Sequence, residues 1–234
     1  MYCERQTKGS ALIIFGEGRE ISQLIKIYLA RHGETIWNAE MRVQGRRDSS
    51  LTARGHLQSL ALLKQIRGRS LSAIYTSTLP RSIQTAQPLS QHFNLPIRKR
   101  SELDELAFGI LEGKQLFCLD EREREEWERF RANRFTYRIP GGENYTDVSQ
   151  RLRTFGEAIL QKHLGEEILI VGHRGVNRML IGLLLEIQLE EAVKIEQTND
   201  CVYLIRKNGE TTVFHMIDGE SGQGLLFEGQ RMVL

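Results

Sequence analysis

The run Glu167-Ile168-Leu169-Ile170-Val171 is the strongest buried-strand signal in the chain. An unbroken aliphatic run of this length reads as a strand covered on both faces, and such strands belong to parallel sheets flanked by helices. It leads into Gly172-His173-Arg174-Gly175. A second run, Leu24 to Ala30, leads straight into Arg31-His32-Gly33-Glu34-Thr35. Shorter strand signals follow at Ala73–Thr76 and at Pro96-Ile97.

Helical patterns separate these strands. Thr52 opens one helix with Leu57, Leu60 and Leu63 on one face, ending near Gly68. Pro80 suits the first turn of a second, which carries Ile83, Ala86 and Leu89 to Phe93. Thr146 caps a third with Val148, Leu152, Phe155 and Ile159 along one face, and a fourth spans Val176 to Leu185. Two late strands, Val202–Arg206 and Thr211–Met216, flank Asn208-Gly209, a strong short hairpin signal. The alternation predicts an α/β fold: a three-layer α/β/α arrangement with a mostly parallel mixed sheet, to which the hairpin adds antiparallel pairing. Residues 1–24 read as an N-terminal extension without an assigned role, and residues 25–234 as a single domain. Within it, residues 114–140 read as a small helical lid segment. The stretch Asp120 to Arg131 holds six acidic and four basic residues around Trp127 and Phe130, the pattern of a solvated helix docked through a few apolar side chains.

With 40% hydrophobic and 26% charged residues, a chain of 234 residues has the means to bury a sizeable core. The net charge of +2 offers no electrostatic footprint for nucleic acid. The longest N-terminal apolar run, Ala11 to Phe15, is too short for a signal peptide or a membrane span, so a cytoplasmic chain without a membrane partner is expected. Cys3, Cys118 and Cys201 are few, odd in number and far apart, which reads as thiols in a reducing compartment. None of the six histidines forms an H-x-x-x-H pair, so no local metal-ligand spacing is present.

Sites in parallel α/β sheets lie beyond the carboxyl ends of the strands. Arg31-His32 and His173 both stand just past such ends, and Arg81 opens the helix after the second strand. Two arginines and two histidines on one rim make a positive pocket. The planar guanidinium fork suits paired phosphoryl oxygens, and the helix start near Arg81 adds partial positive charge. No Gly-rich nucleotide loop is present, so binding falls to side chains. A neutral imidazole nitrogen attacks phosphorus, and Gly33 beside His32 leaves room for a phosphate to approach the backbone. Attack by His32 gives a phosphohistidine and an alkoxide that needs a proton. The residues alone leave many carboxylates open as its source.

Five segments carry a resemblance. The first is Leu29 to Asn38, followed by Gln44-Gly45 and Leu51 to Gly55. The others are Ser77 to Ala86, Leu103 to Gly113, Pro140 to Glu143, and Val171 to Val176. In this order and spacing, over most of residues 25–217, the chain resembles the histidine phosphatase superfamily, the group of phosphoglycerate mutase-like and acid-phosphatase-like enzymes. The resemblance implies His32 as the phosphorylated nucleophile. It implies Arg31, Arg81 and His173 as the phosphate pocket, with His173 a charged donor. Glu105 is implied as the acid for the leaving oxygen and then the base for water. Asn38 and Gln44, with Gly45 beside them, fall where the family contacts substrate. No metal or organic cofactor is implied.

The chain departs from the family at Arg174, where glycine is usual, and at Ser82, where alanine is common. Arg174 is expected to point away, with a second basic group for a doubly anionic substrate as the alternative, and Ser82 to be without consequence. Arg46 and Arg47 read as a solvated pair, and Glu102, Asp104 and Glu112 as ordinary surface carboxylates. His56, His92, His163 and His215 read as surface or packing residues. The expected activity is a metal-independent phosphomonoesterase acting on a small-molecule phosphate ester through phosphohistidine. A phosphoglycerate mutase-type transfer and an inactive phosphate-binding module are the alternatives. Only 26 residues separate Gly113 from Pro140, where the mutases resembled here carry a longer insertion, and this favours hydrolysis. The oligomeric state is open, a homodimer included.

Overall fold

The two aliphatic runs form neighbouring parallel strands, β1 (Lys26–Arg31) and β4 (Glu167–Gly172), in register from Lys26 beside Glu167 to Arg31 beside Gly172. A computed structural model describes residues 25–206 and the strand segments 211–217, 220–224, 227–228 and 231–232. In it β2 (Leu71–Thr76) lies parallel on the other side of β4, and β3 (Ile97–Lys99) lies parallel beyond β2. On the opposite edge β5 (Cys201–Arg206) runs antiparallel to β1. The sheet continues antiparallel through β6 (Thr211–Ile217) and β7 (Glu220–Gly224), giving the order β3-β2-β4-β1-β5-β6-β7. The expected mixed sheet is present, and the two late strands pair as expected. The Asn208-Gly209 turn, the 1–24 extension and the side chain of His215 lie outside the described residues.

Side chains alternate across the pleat. Ile27, Leu29, Ile168, Ile170, Tyr203 and Ile205 face one core, closed by α5 (Tyr145–Lys162) and α6 (Arg174–Leu185). Tyr28, Ala30, Leu169, Val171, Val202 and Leu204 face the other, closed by α2 (Ala53–Ile66) and α3 (Pro80–Phe93). This produces the three layers. Short helices α1 (Ile36–Ala39) and α7 (Leu189–Ala192) lie in connections. The charged segment forms α4 (Glu121–Ala132), capped reciprocally by Asp120 and Glu123, and docks as expected through Phe130 and Trp127 against Phe108. Among the described residues no helix is long and apolar enough to cross a membrane.

Two helix readings need correction. The inward face of α2 is Gly55, Ser59, Leu62 and Ile66, while Leu57 and Leu60 are 65% and 52% exposed. The true stripe begins with small residues because the helix sits close to its neighbours: Ser59 Oγ donates to the Thr85 carbonyl at 2.6 Å. Hydrophobicity alone selects the wrong face. The cap of α5 is Asn144, not Thr146. Asn144 and Asp147 exchange side chain-to-backbone bonds of 3.0 Å each way, while Thr146 donates to the Phe135 carbonyl.

Gly33 also has a packing reason beside the one expected. A Cβ there would stand 2.4 Å from the Gly55 carbonyl oxygen, so the close seat of α2 demands glycine. Its N–H donates to Thr85 Oγ1 at 2.9 Å. Gly33→Ala is expected to cost about 2 kcal/mol of stability through overpacking, read as a lower urea midpoint at unchanged slope. An unchanged midpoint would show that α2 yields at this point.

Candidate active site

The carboxyl end of β1 opens on a cavity of about 690 Å³ whose wall includes Arg31, His32, Arg81 and Glu105. The ladder carries one residue past β1: the His32 N–H donates to the Gly172 carbonyl at 3.0 Å. His32 Nδ1 lies 2.8 Å from the Gly33 carbonyl oxygen. A carbonyl only accepts, so the proton sits on Nδ1 and Nε2 keeps its lone pair. Burial, then the charges of Arg81 and Arg31, hold His32 well below the usual histidine range. It is therefore neutral at neutral pH, the form able to attack an electrophile.

Arg81 is 1% exposed. Its Nη1 donates to the Arg47 carbonyl at 2.6 Å and to Asp48 Oδ1 at 2.9 Å, and its Nη2 to the Gly45 carbonyl at 2.7 Å. The loop thus fixes the guanidinium while Nε stays buried without a partner among the described residues. Arg31 is alike: Nη1 donates to the Gln197 carbonyl at 3.3 Å, and Nε is buried and unpartnered. Burial lowers Arg31 to about 10, which leaves it charged at neutral pH. Gly45, expected to contact substrate, lines the cavity and also holds Arg81 through its carbonyl. Its φ of +55° favours glycine, and a Cβ there, 2.1 Å from Glu112 Oε1, would displace that carboxylate. Asn38 and Gln44 are on the cavity wall as well. Asn38 Oδ1 accepts from the Thr35 N–H at 3.1 Å.

His173 stands past β4, wholly buried, its ring centroid 5.1 Å from that of His32. Its Nε2 is 2.8 Å from Ser77 Oγ, and its Nδ1 is buried without a partner among the described residues. Burial, followed by Arg81, His32 and Arg31, pushes it well below the usual histidine range. The ligand-free pocket thus favours the neutral ring, whereas the charged donor that the resemblance implies belongs to a pocket holding an anion. A neutral ring with Nδ1–H still offers one donor when Ser77 supplies its hydroxyl proton to Nε2.

Glu105 is half-buried on the loop after β3. Its Oε1 accepts from the Leu106 N–H at 2.9 Å, and its Oε2 from the Gly175 N–H at 3.4 Å. Arg151 of α5 grips this loop through the carbonyls of Glu102 and Asp104, the latter at 2.6 Å, and reaches Glu143 Oε2 at 3.3 Å. Two carboxylates read as surface groups are structural. Asp104 is buried and accepts from the Thr78 N–H at 2.7 Å, and Glu112 accepts from the Phe108 N–H at 2.9 Å. Arg174 does not point away: it lines the cavity and is paired with both Glu196 oxygens at 2.8 Å. Arg46 and Arg47 are exposed, as expected. His163 is a packing residue between Tyr75 and Glu166.

Sequence reasoning assigned no role to Arg151, Ser77 or Asn199, whose Nδ2 donates to the His32 carbonyl at 2.6 Å. Ser77 opens the segment Ser77 to Ala86 that carries the resemblance, whereas Arg151 and Asn199 carry no local signal. Together the parts offer a nitrogen lone pair, one buried and one half-buried guanidinium, a buried ring N–H and a carboxyl group on or beside one cavity. That inventory suits attack on an anionic electrophile. Across the whole wall eight Arg and Lys side chains face three Glu, so the cavity favours anions.

Residues 27–218 match the family model described as histidine phosphatase superfamily (branch 1). The chain is 39% identical over 151 residues to the probable phosphoglycerate mutase GpmB of Salmonella choleraesuis (strain SC-B67), covering 64% of this chain and 70% of that one. The alpha-ribazole phosphatase from Shigella flexneri superimposes with a TM-score of 0.68 at 26% identity, over 86% of this chain and 95% of that chain. A mycobacterial glucosyl-3-phosphoglycerate phosphatase shares the fold, with a TM-score of 0.71 at 23% identity over 79% of this chain and 91% of its own.

Proposed function

This chain belongs to the histidine phosphatase superfamily, branch 1, and from that membership we propose that it is a metal-independent phosphomonoesterase acting on a small phosphorylated metabolite through phosphohistidine. The observation that carries the reading is His32: its Nδ1 proton is tied to Gly33, and its ring lines an anion-favouring cavity between Arg31 and Arg81.

The phosphoryl oxygens take the free Nε–H groups of Arg31 and Arg81 and the Nδ1–H of His173. His32 Nε2 attacks phosphorus as the bond to the leaving oxygen breaks. Glu105 gives that oxygen a proton, and the alcohol departs. Glu105, now a carboxylate, takes a proton from water, and the oxygen attacks phosphorus as the N–P bond breaks. Inorganic phosphate is released and the His32 lone pair is restored. Fixed donors that meet charge spreading over the equatorial oxygens stabilise the transition state without reorganisation.

The mutase reading differs only in the acceptor, a hydroxyl of the metabolite instead of water, and the named GpmB relative supports it. The short segment between Gly113 and Pro140 and the phosphatase among the structural relatives favour hydrolysis. The test is release of phosphate from p-nitrophenyl phosphate with EDTA present. Turnover is expected to persist. Activity abolished by EDTA and restored by a divalent cation would overturn metal independence. Interconversion of phosphoglycerates without net phosphate release would assign the chain to the mutases, and binding without either reaction to an inactive module.

A further inference from the structure

Ser82 replaces an alanine common in the family, and the sequence gives it no role. In the structure its hydroxyl is wholly buried in the floor beneath His173. Ser82 Oγ lies 2.6 Å from Ser77 Oγ and 3.0 Å from the Leu79 carbonyl oxygen. Ser77 Oγ in turn accepts from the Leu79 N–H at 3.2 Å and lies 2.8 Å from His173 Nε2.

Each hydroxyl has one proton to give and two lone pairs to receive with. When His173 is neutral with its proton on Nδ1, Ser77 donates to Nε2, and Ser82 donates to Leu79 or to Ser77. Every group is satisfied. When His173 carries both protons, Nε2–H must be received by Ser77. The Ser77 proton then needs another acceptor, and Ser82 Oγ is the one within reach. Ser82 donates its own O–H to the Leu79 carbonyl, and every group is again satisfied. With alanine at 82 the neutral ring keeps its partners, but the doubly protonated ring strands the buried Ser77 hydroxyl proton.

We propose that Ser82 is a positioning residue for His173, a hydrogen-bond acceptor that lets Ser77 turn from donor to acceptor and so admits the doubly protonated imidazole when a phosphoryl group is bound. The proposal rests on the reading that His173 holds the phosphoryl group. The groups acting on His173 are Arg31 and His32 after β1, Arg81 of α3 and Arg151 of α5, all opposing a charge in the free pocket. A phosphoryl dianion at Nδ1 opposes their effect, and the Ser77–Ser82 pair removes the remaining hydrogen-bond obstacle. Alanine at 82 would leave one buried donor unmade, which predicts a fall of about one pH unit in the His173 midpoint.

The experiment follows the imidazole nitrogens by 15N–1H correlation spectra of the full chain saturated with orthovanadate, from pH 5 to 9. In wild type the His173 ring is expected to become doubly protonated within this range. In Ser82→Ala the midpoint is expected about one unit lower, and Ser82→Cys, a poorer acceptor of similar size, is expected to move it the same way. The cysteine variant decides the matter where the alanine variant does not fold. Equal midpoints in wild type and variants would overturn the proposal, as would a wild-type ring that never gains its second proton. A merely structural role would lower the melting temperature or vanadate affinity equally at every pH and leave the midpoint in place. Turnover of p-nitrophenyl phosphate on the same samples separates the two readings. Wild-type turnover with unmoved midpoints sinks the Ser82 role alone. Moved midpoints without turnover sink hydrolysis alone, and failure of wild type to bind vanadate sinks both.

Discussion

His32→Ala is expected to lower turnover of p-nitrophenyl phosphate by about 10⁵-fold, the scale on which removal of a catalytic nucleophile acts. The size follows from the lack of a substitute. His173 has its Nε2 against Ser77, and the nitrogen left over, Nδ1, carries the proton in the tautomer that donates to a phosphoryl group. The arginines are charged and cannot attack. Binding should largely survive, because Arg31 and Arg81 are held by the backbone of other segments: Arg81 by Arg47 and Gly45, Arg31 by Gln197. Orthovanadate is therefore expected to bind His32→Ala measurably while turnover vanishes. Wild type quenched during turnover of labelled substrate should retain acid-labile label on protein, and the variant none. Residual activity above about one per cent, or label retained by the variant, would remove His32 from the role of nucleophile.

The parts of this site differ in how far they could be read in advance. His32 and His173 were legible because each follows a run that reads as a buried strand, and strands of parallel α/β sheets end at sites. The proline that opens its helix placed Arg81 on the same rim, and only the segment Ser77 to Ala86 of the resemblance gave it a role. The supports were not. Arg151 sits on α5 with nothing in the local pattern to mark it, yet it ties the loop of Glu105 to the helix layer. Asn199 and Gln197 hold the carboxyl end of β1 from a connection without periodicity. Such roles arise from long-range pairing, and a one-dimensional pattern carries no trace of them. The misplaced face of α2 has a related cause. Packing closeness, set by Gly55 and Ser59, chose the buried stripe, whereas hydrophobicity pointed to Leu57 and Leu60. The same blindness made Asp104 look like a surface group and Ser82 look silent, since burial is a property of the assembled layers.

Glu105→Gln should give the second large effect, and its pattern carries more information than its size. The amide keeps the shape and an oxygen to receive the Leu106 N–H, giving up only the long 3.4 Å contact from the Gly175 N–H, so the loop held by Arg151 should stay in place. What is lost is the transferable proton. General acid catalysis contributes about 10² to 10⁴-fold, and it matters most where the leaving oxygen is basic. An alkyl phosphate expels an alkoxide that cannot depart unprotonated, so its hydrolysis is expected to fall by about 10³-fold. A nitrophenolate leaves without help, so phosphorylation of His32 by p-nitrophenyl phosphate should be nearly unimpaired. The second half-reaction loses its base whichever ester supplied the phosphoryl group. With the aryl ester, the variant should therefore release one equivalent of nitrophenol in a burst and then stall as phosphoenzyme. Wild type should show no such stall, because Glu105 returns to activate water. Stopped-flow absorbance at the nitrophenolate band reads both phases. Equal losses for alkyl and aryl esters, with no burst, would remove Glu105 from proton transfer and leave it the task of anchoring the first turn of α6. A loss for alkyl esters without a stall on the aryl ester would keep it as the acid and assign activation of water to another group.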